Sequence, residues 1–312
     1  MKKVFKIILI VILAIVIVGF LGFTFFVGKG VFDSFSNAQS RKKTNEDIAM
    51  YIDEYEDFES RHDIESFSIK SSKYDHEIPA IYVKDEGNKN IAVLVHGFGG
   101  TKKSVTAVAD AFLDLGYNCI IYDQRNSGDN MAEYNTFGVL ESYDCEDMLK
   151  FALEDKKEDS KLLLFGESAG AATALITSSR FQEMDYLVLD SPLTDGYVFA
   201  EKEFDKIEKD TGLPKSFMKF AGNIFYQVKL GFTLDDMNSV DYIKDKNFSI
   251  PTLIIHSKAD EVTPYEMAKS IYDSLNTKEK VLHEEEEYGH TKFAAENPEK
   301  FKEVLKNFLE IY

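Results

Sequence analysis

The first pattern along the chain is a long apolar run near its start. Residues 7–28 carry no charge and are dominated by Ile, Leu, Val and Phe. A helix of this length, rising about 1.5 Å per residue, extends about 33 Å and can cross a hydrocarbon layer of about 30 Å. Three lysines precede the run, as in a signal sequence. The pattern therefore predicts a helix that enters a membrane.

Two interpretations of this run remain open. A cleaved signal is one, because Ser36-Asn37-Ala38 offers small residues for cleavage. An uncleaved signal anchor is favoured, because the run exceeds a usual signal core and that site lies far beyond its end. We predict a short cytoplasmic tail (1–6), a transmembrane signal anchor (7–28) and a linker or stalk helix (29–65). The protein is then a single-pass protein of the cell membrane, and the short tail favours an extracellular position for the domain that follows.

Beyond residue 65 the pattern changes from one long helix to alternating short elements. Segments 66–70 and 78–83 alternate apolar and polar residues, which predicts an antiparallel pair of strands. Strand and helix patterns then follow each other, with strands predicted at 91–95, 117–122, 161–165, 186–189, 252–255 and from 281, and helices at 104–115, 140–153, 169–176, 265–275 and 298–311. This alternation predicts an α/β fold with a mostly parallel sheet flanked by helices.

One stretch interrupts the alternation. Residues from about 193 to 249 have helical patterns at 199–207 and 217–228 but no strand pattern. A connection of this length is too long for an ordinary loop. We therefore predict a helical cap insertion within a domain that covers residues 66–312.

Composition narrows the classes of partner. The chain has 312 residues, of which 44% are hydrophobic and 29% charged, as in a globular protein. Its net charge of −18 argues against binding nucleic acid or anionic lipid through a basic face. Its two cysteines, Cys119 and Cys145, fall inside a predicted strand and a predicted helix. They are expected to be buried, and they predict neither a disulfide framework nor a metal site.

The most informative motif is Gly-Glu-Ser-Ala-Gly at residues 166–170. It follows the predicted strand 161–165 and opens the predicted helix 169–176. A serine between two glycines at a strand-to-helix turn is typical of a nucleophile elbow, where side chains at the glycine positions would collide with the neighbouring strand. We therefore predict that Ser168 is a nucleophile.

A second turn is suited to binding an oxyanion. Residues 96–100, His-Gly-Phe-Gly-Gly, follow the predicted strand 91–95. A glycine-rich turn can present backbone N–H groups to developing negative charge. We predict the backbone N–H groups of Phe98 and Ala169 as the two oxyanion donors, and His96 as a residue that braces the turn.

A serine nucleophile needs a histidine to take its proton and a carboxylate to orient that histidine. His290 lies just past the last predicted strand, and Asp260 lies just past strand 252–255. Both residues therefore follow the carboxyl ends of strands, and open α/β sheets place their binding and catalytic sites outside these ends. Asp190, at the end of strand 186–189, is an alternative acid. His256 is expected to be an ordinary surface or loop histidine.

These motifs, in this order, resemble those of the α/β-hydrolase superfamily over about residues 66–312. The matching features are the His-Gly turn at 96–97, the elbow at 166–170, the Asp260 segment ending in Val262-Thr263-Pro264, and Gly289-His290. Within the superfamily the chain is similar to serine-aminopeptidase-like and membrane-anchored esterase-type hydrolases of bacteria. The resemblance implies an α/β-hydrolase fold and acyl transfer to water.

The sequence therefore predicts a serine hydrolase that cleaves an ester or related acyl bond through Ser168, His290 and Asp260. No cofactor and no metal are expected. Its partners are expected to be a small-molecule acyl substrate and, through the N-terminal helix, a membrane, with no nucleic acid and the oligomeric state left open. The alternatives are an aminopeptidase-type peptidase of the same fold and a non-catalytic surface protein.

Overall fold

The computed structural model describes residues 2–36 and 41–312. The chain divides into two compact units, one formed by residues 1–38 and 197–236 and the other by residues 39–196 and 237–312. Asn37 and Ala38 of the candidate cleavage site lie outside the described residues, as do residues 1, 39 and 40.

The helices predicted at 104–115, 140–153, 169–176, 199–207, 217–228, 265–275 and 298–311 are all present, with ends that differ by a few residues. In chain order the helices are α1 (Lys2–Phe35), α2 (Arg41–Met50), α3 (Ile52–Arg61), α4 (Thr106–Asp114), α5 (Glu141–Asp155), α6 (Ala169–Ser178), α7 (Tyr197–Thr211), α8 (Lys215–Leu230), α9 (Tyr265–Ser274), α10 (Phe293–Glu296) and α11 (Pro298–Ile311). Two short 3-10 helices cover Leu234–Met237 and Ser239–Tyr242.

The larger unit is built on an eight-stranded sheet within the described residues. Its strands are β1 (Asp63–Lys70), β2 (Glu77–Lys84), β3 (Asn90–Val95), β4 (Tyr117–Tyr122), β5 (Leu162–Glu167), β6 (Tyr186–Asp190), β7 (Thr252–Ser257) and β8 (Lys280–Glu285). The strand order is β1-β2-β4-β3-β5-β6-β7-β8. β2 pairs antiparallel with β1 and β4, and the other neighbouring pairs are parallel. The predicted antiparallel pair and the mostly parallel sheet are both confirmed.

Alternate residues along each strand feed two separate cores, one on each face of the sheet. Val93 and Leu164 pack in the core that includes residues of α5, α6 and α9, whereas Leu94 and Phe165 pack in the core that includes residues of α3, α4 and α11. The two cysteines are buried, free thiols, one in each core. The sheet is thus covered on both faces, which leaves its edges and strand ends for polar chemistry.

The strand order reverses direction at β3, which lies between β4 and β5. A reversal of this kind opens a crevice outside the carboxyl ends of β3 and β5. The turn after β3 and the turn after β5 both meet this crevice. The fold therefore brings the predicted oxyanion turn beside the predicted nucleophile.

The smaller unit contains α1, α7 and α8. A Cβ atom on Gly28 would lie 2.3 Å from the carbonyl oxygen of Ala221, so the glycine allows α1 and α8 to approach closely. This contact buries Val31 and Phe32 of α1 and Tyr226 of α8. Among the described residues, α1 is the one helix long and apolar enough to cross a membrane. It extends past both ends of the predicted span 7–28.

Candidate active site

Ser168 occupies a strained turn between β5 and α6. Its backbone has φ 52° and ψ −121°, a conformation that residues other than glycine rarely adopt. A Cβ on Gly166 would lie 2.4 Å from the carbonyl oxygen of Gly170, and a Cβ on Gly170 would lie 2.3 Å from that of Val95. Both glycines are thus required by close backbone contact, as the elbow motif predicts.

The turn after β3 runs directly beside this serine. A Cβ on Gly97 would lie only 3.1 Å from the Cβ of Ser168. His96 is fully buried, and its Nε2 accepts a hydrogen bond from the backbone N–H of Gln124 at 3.0 Å. Burial lowers the pKa of His96, which matches a neutral ring that accepts this bond. Its position is that of a brace for the turn, as predicted.

The two predicted oxyanion donors belong to elements that adjoin Ser168. Ala169 is the first residue of α6, where the backbone N–H groups have no acceptor within the helix. Phe98 follows Gly97 in the turn after β3, and its ring stacks on that of Phe137 with 5.6 Å between centroids. These two backbone positions remain predictions as oxyanion donors.

His290 connects Ser168 to Asp260 by two hydrogen bonds. Its Nε2 lies 2.8 Å from the Ser168 hydroxyl oxygen, and its Nδ1 lies 2.7 Å from Oδ2 of Asp260. Along the chain, His290 is 122 positions from Ser168 and 30 positions from Asp260. The structure thus brings all three predicted side chains together in the arrangement required for a serine nucleophile.

Asp260 is held as a carboxylate by a turn that surrounds it with donors. Its Oδ1 accepts from the backbone N–H groups of Val262 and Thr263 at 2.8 and 3.0 Å. Its Oδ2 also accepts from the Thr263 hydroxyl at 2.8 Å. Burial acts to raise the pKa of Asp260, but the hydrogen bonds from His290 and Thr263 outweigh it and lower this pKa below its usual value. The carboxyl therefore stays ionised at neutral pH.

Asp190, the alternative acid, has a different environment. Its Oδ1 accepts from the Ser191 hydroxyl at 3.1 Å, and its buried Oδ2 has no hydrogen-bond partner among the described residues. Burial raises the pKa of Asp190 to about 6. Of the two carboxyls, Asp260 is the one hydrogen-bonded to His290 in the part of the chain that is described.

The structure adds two residues to those found from the sequence. The Thr263 hydroxyl lies 3.3 Å from Nδ1 of His290 in addition to its bond to Asp260. His256 is fully buried in β7, and its Nε2 lies 2.9 Å from the carbonyl oxygen of Thr263. The expectation of an ordinary surface or loop histidine at 256 is therefore wrong. The strand continues two residues past the predicted end and takes His256 into the interior.

A cleft of about 430 Å³ borders Ser168 and His290. Its lining includes apolar side chains such as Phe98 and Val108 together with the charged residues Glu167 and Lys292. Burial, reinforced by the nearby Asp190, raises the pKa of Glu167 to about 8. Within the described residues, no cluster of three or more His, Cys, Asp or Glu could hold a metal ion. The cleft is thus lined by polar and apolar groups in similar measure, with the Ser168 hydroxyl among them.

Two family models match the chain. The first, for the alpha/beta hydrolase fold, matches residues 92–212, and the second, for TAP-like protein, matches residues 230–310. The chain belongs to the α/β-hydrolase superfamily.

Individual similar proteins come from bacteria, archaea and animals. The uncharacterized protein YqkD of Bacillus subtilis is 24% identical over 275 residues, which cover 86% of this chain and 88% of YqkD. The lysophosphatidylserine lipase ABHD12 of Xenopus tropicalis is 23% identical over 263 residues, 75% of this chain and 64% of that lipase. The structure of the Pyrococcus furiosus esterase Pf2001 superposes with a TM-score of 0.62 at 19% identity, covering 82% of this chain and 95% of the esterase. These similarities support a hydrolase activity.

Proposed function

We propose that the protein is a serine hydrolase that cleaves an ester bond through an acyl-enzyme. The observation that carries this proposal is the pair of hydrogen bonds from His290, one to Ser168 and one to Asp260. A serine hydroxyl is a weak nucleophile at neutral pH unless an oriented base removes its proton. If His290 only formed a structural hydrogen bond to Ser168, the strained backbone at Ser168 and the glycines that permit it would not be needed.

In the proposed reaction, His290 Nε2 takes the proton of Ser168 as the hydroxyl oxygen attacks the ester carbonyl. The carbonyl oxygen becomes an oxyanion, which the N–H groups of Phe98 and Ala169 stabilise. Asp260 keeps the Nδ1 proton of His290 in place, so Nε2 is the nitrogen free to act as the base. The imidazolium then protonates the leaving alcohol as the ester bond breaks, and a water molecule releases the acid by the reverse sequence.

We also propose that α1 is an uncleaved anchor in the cell membrane, with the larger unit outside. Cleavage beyond Ser36 would remove α1, whose side chains pack against one whole face of α8. Phe32 contacts Tyr226 with 5.0 Å between ring centroids, and the buried hydroxyl groups of Ser36 and Tyr226 lie 2.7 Å apart. Met218, Ala221 and Tyr226 of α8 are each at most 2% exposed while α1 is present. A disposable signal has no reason to complete the packing of the mature protein.

Active-site labelling of the full chain in detergent or nanodiscs tests the serine chemistry. A fluorophosphonate probe should label the protein once, and Ser168→Ala should abolish both labelling and ester turnover. Ser60→Ala is a matched control, because Ser60 is exposed on α3 and its hydroxyl donates to the carbonyl oxygen of Asp57 in the same helix at 2.7 Å. A folded wild-type chain that takes no label would favour the non-catalytic alternative.

Substrate preference requires a second assay. A panel of acyl esters of increasing chain length and of aminoacyl anilides should show turnover of the esters, which Ser168→Ala removes. Preferential turnover of the anilides would instead support the peptidase alternative and reject the ester as substrate. Both outcomes can be interpreted only if labelling has first identified Ser168.

A further inference from the structure

The smaller unit exposes a strip of apolar side chains along α8. Phe220, Ile224 and Val228 are 51%, 42% and 78% exposed, and they follow one another at four-residue spacing on one side of the helix. Phe217 begins the same strip, with its ring centroid 6.3 Å from that of Phe220. We refer to these four residues as the α8 strip. A row of large apolar residues with this exposure marks a surface that another apolar phase covers.

Contacts with α1 fix the level of the α8 strip relative to the predicted membrane span. The Phe217 ring stacks on that of Phe23 at 5.6 Å and meets that of Phe20 at 6.0 Å. Further along, Tyr226 contacts Phe32. α8 therefore runs beside α1 in the same direction, with its first turn level with residues 20–23.

The first turn of α8 is level with a part of α1 that lies inside the hydrocarbon layer. If the layer begins just after Lys6, about 20 helical residues cross it, and it ends near residue 26. Phe20 and Phe23 then lie about 5–9 Å inside its outer edge, at about 1.5 Å per residue. This depth is that of amphipathic helices that lie in the interface, about 5–10 Å into the boundary between headgroups and acyl chains.

Two lysines in the first turns of α8 form ion pairs within the unit. Lys215 lies 3.0 Å from Glu201 and 3.0 Å from Asp205, and Lys219 lies 2.6 Å from Asp235. Pairing reduces the free energy of moving these ammonium groups out of water. It also leaves no surplus of positive charge among these residues, so attraction to anionic headgroups is not the source of binding.

We propose that the α8 strip enters the outer leaflet of the membrane that α1 crosses, with lipid acyl chains as the partner of its first two residues, Phe217 and Phe220. The helical insertion is thus a second membrane element. Phe217 and Phe220 reach the acyl chains, Ile224 lies near the headgroup boundary, and Val228 lies farther out. The inference rests on the proposed anchoring by α1 and is independent of the proposed ester chemistry.

Depth-dependent fluorescence quenching in full-length protein tests this proposal. Single cysteines at positions 220, 224 and 228 can be labelled with an environment-sensitive dye, because Cys119 and Cys145 are completely buried. In phosphatidylcholine nanodiscs holding one chain each, lipids with a shallow nitroxide should quench position 220 at least about twofold more than position 228, because about 12 Å of helix separates the two positions along α8. Quenching should decrease from 220 to 224 to 228 and should not change when anionic lipid is added. Lys306→Cys, at an exposed position of α11 in the larger unit, is the control and should remain unquenched.

Several outcomes would overturn the proposal. Equal, weak quenching at positions 220 and 306 in a chain that resists alkaline extraction would show that α1 is inserted while the α8 strip is in water. Dye emission that changes when each disc holds a second chain, and does not respond to the nitroxide lipid, would show that a second copy of the protein covers the α8 strip. Loss of the chain from the membrane on alkaline extraction would reject the anchor itself. Labelling of Ser168 by fluorophosphonate is unaffected by these outcomes, so the two proposals fail separately.

Discussion

Asp190 at the end of β6 and Asp260 just past the end of β7 are neighbouring carboxyls with opposite surroundings. Asp260 accepts hydrogen bonds from two backbone N–H groups, the Thr263 hydroxyl and His290, and its pKa is lowered in spite of burial. The Asp190 side chain accepts from the Ser191 hydroxyl, and burial raises its pKa to about 6. Both side chains are almost inaccessible. The difference therefore comes from the deeper burial of Asp190 and from the number of donors that the following turn supplies to Asp260.

Of Asp190 and Asp260, Asp260 is therefore the carboxyl that suits the proposed role of orienting His290. The turn at residues 260–263 directs its N–H groups back onto the Asp260 carboxylate, which keeps the charge and aims one oxygen at His290. After β6 the chain continues through Ser191, at φ 46°, without such a ring of donors among the described residues. A strand end near the nucleophile is thus insufficient, because an acid that orients a histidine must also remain ionised.

The largest expected effect comes from removing the charge of Asp260. Asp260→Asn should lower kcat for an ester by about three to four orders of magnitude, because an amide leaves the imidazole in the wrong tautomer, as the same Asp→Asn change does in chymotrypsin-type serine proteases. Steady-state kinetics, with circular dichroism to check folding, measures this effect.

Asp190→Asn is the matched control for that substitution. Because Asp190 makes no hydrogen bond to His290 among the described residues, its loss should change kcat by less than about tenfold. If Asp190→Asn abolished turnover in a folded protein and Asp260→Asn were mild, the assignment of the acid would have to be reversed.

A smaller effect should follow from changing Thr263. Thr263→Val keeps the side-chain shape but removes the hydroxyl that donates to Asp260 and lies 3.3 Å from His290. We expect kcat to fall about tenfold with KM unchanged, since a hydrogen bond to a charged group contributes about 1.5–3 kcal/mol. Thr263→Ser should restore kcat because it restores the donor. A loss of kcat in the Ser variant with none in the Val variant would mean that the methyl group, through packing, is what matters.

The smallest effect concerns stability and its dependence on pH. The pKa of Asp190 is about 6 in the folded protein, against about 3.9 for an unfolded Asp. The native state therefore holds more protons between about pH 4 and 6, and wild-type stability falls as the pH rises through this window. Asp190→Asn removes the buried charge and should stabilise the protein at pH 8 by about 1–2 kcal/mol, since one pKa unit is worth about 1.4 kcal/mol.

Thermal unfolding at pH 5 and pH 8 measures this stability difference. The variant should unfold at a slightly higher temperature than the wild type at pH 5, which lies inside this window, and at a temperature a few degrees higher at pH 8. A variant that is less stable at both pH values would show that Asp190 stabilises the folded protein as a carboxylate.

Much of the larger unit could be predicted from the sequence because its signals are local. Strand alternation, the glycines around Ser168 and the positions of Asp260 and His290 after strands each depend on a few neighbouring residues. The sequence leaves the role of Asp190 open, because donor geometry depends on the three-dimensional path of a turn. The prediction for His256 is wrong because its polar side chain interrupts the apolar run of β7, and its partner, the Thr263 carbonyl, lies beyond the strand.

The packing of the smaller unit has no comparable sequence signal. Gly28 lies inside an apolar run in which a glycine is unremarkable by composition. Its function in the fold depends on the Ala221 carbonyl, which belongs to a segment far along the chain. The exposure of the α8 strip is equally hidden, because helical periodicity gives the spacing of apolar residues but not the neighbour that each face meets.

The strained backbone of Ser168 bears on why the chain keeps a serine there at all. Glycine adopts a positive φ freely, whereas another residue in a sparsely populated region is destabilised by about 1–3 kcal/mol. Ser168 has φ 52°, and both flanking glycines have a backbone oxygen within 2.4 Å of the Cβ they lack. In a protein that served only to bind, selection for stability would favour glycine at this position and relax the turn. The strain at Ser168 therefore supports the reaction proposed for its hydroxyl group.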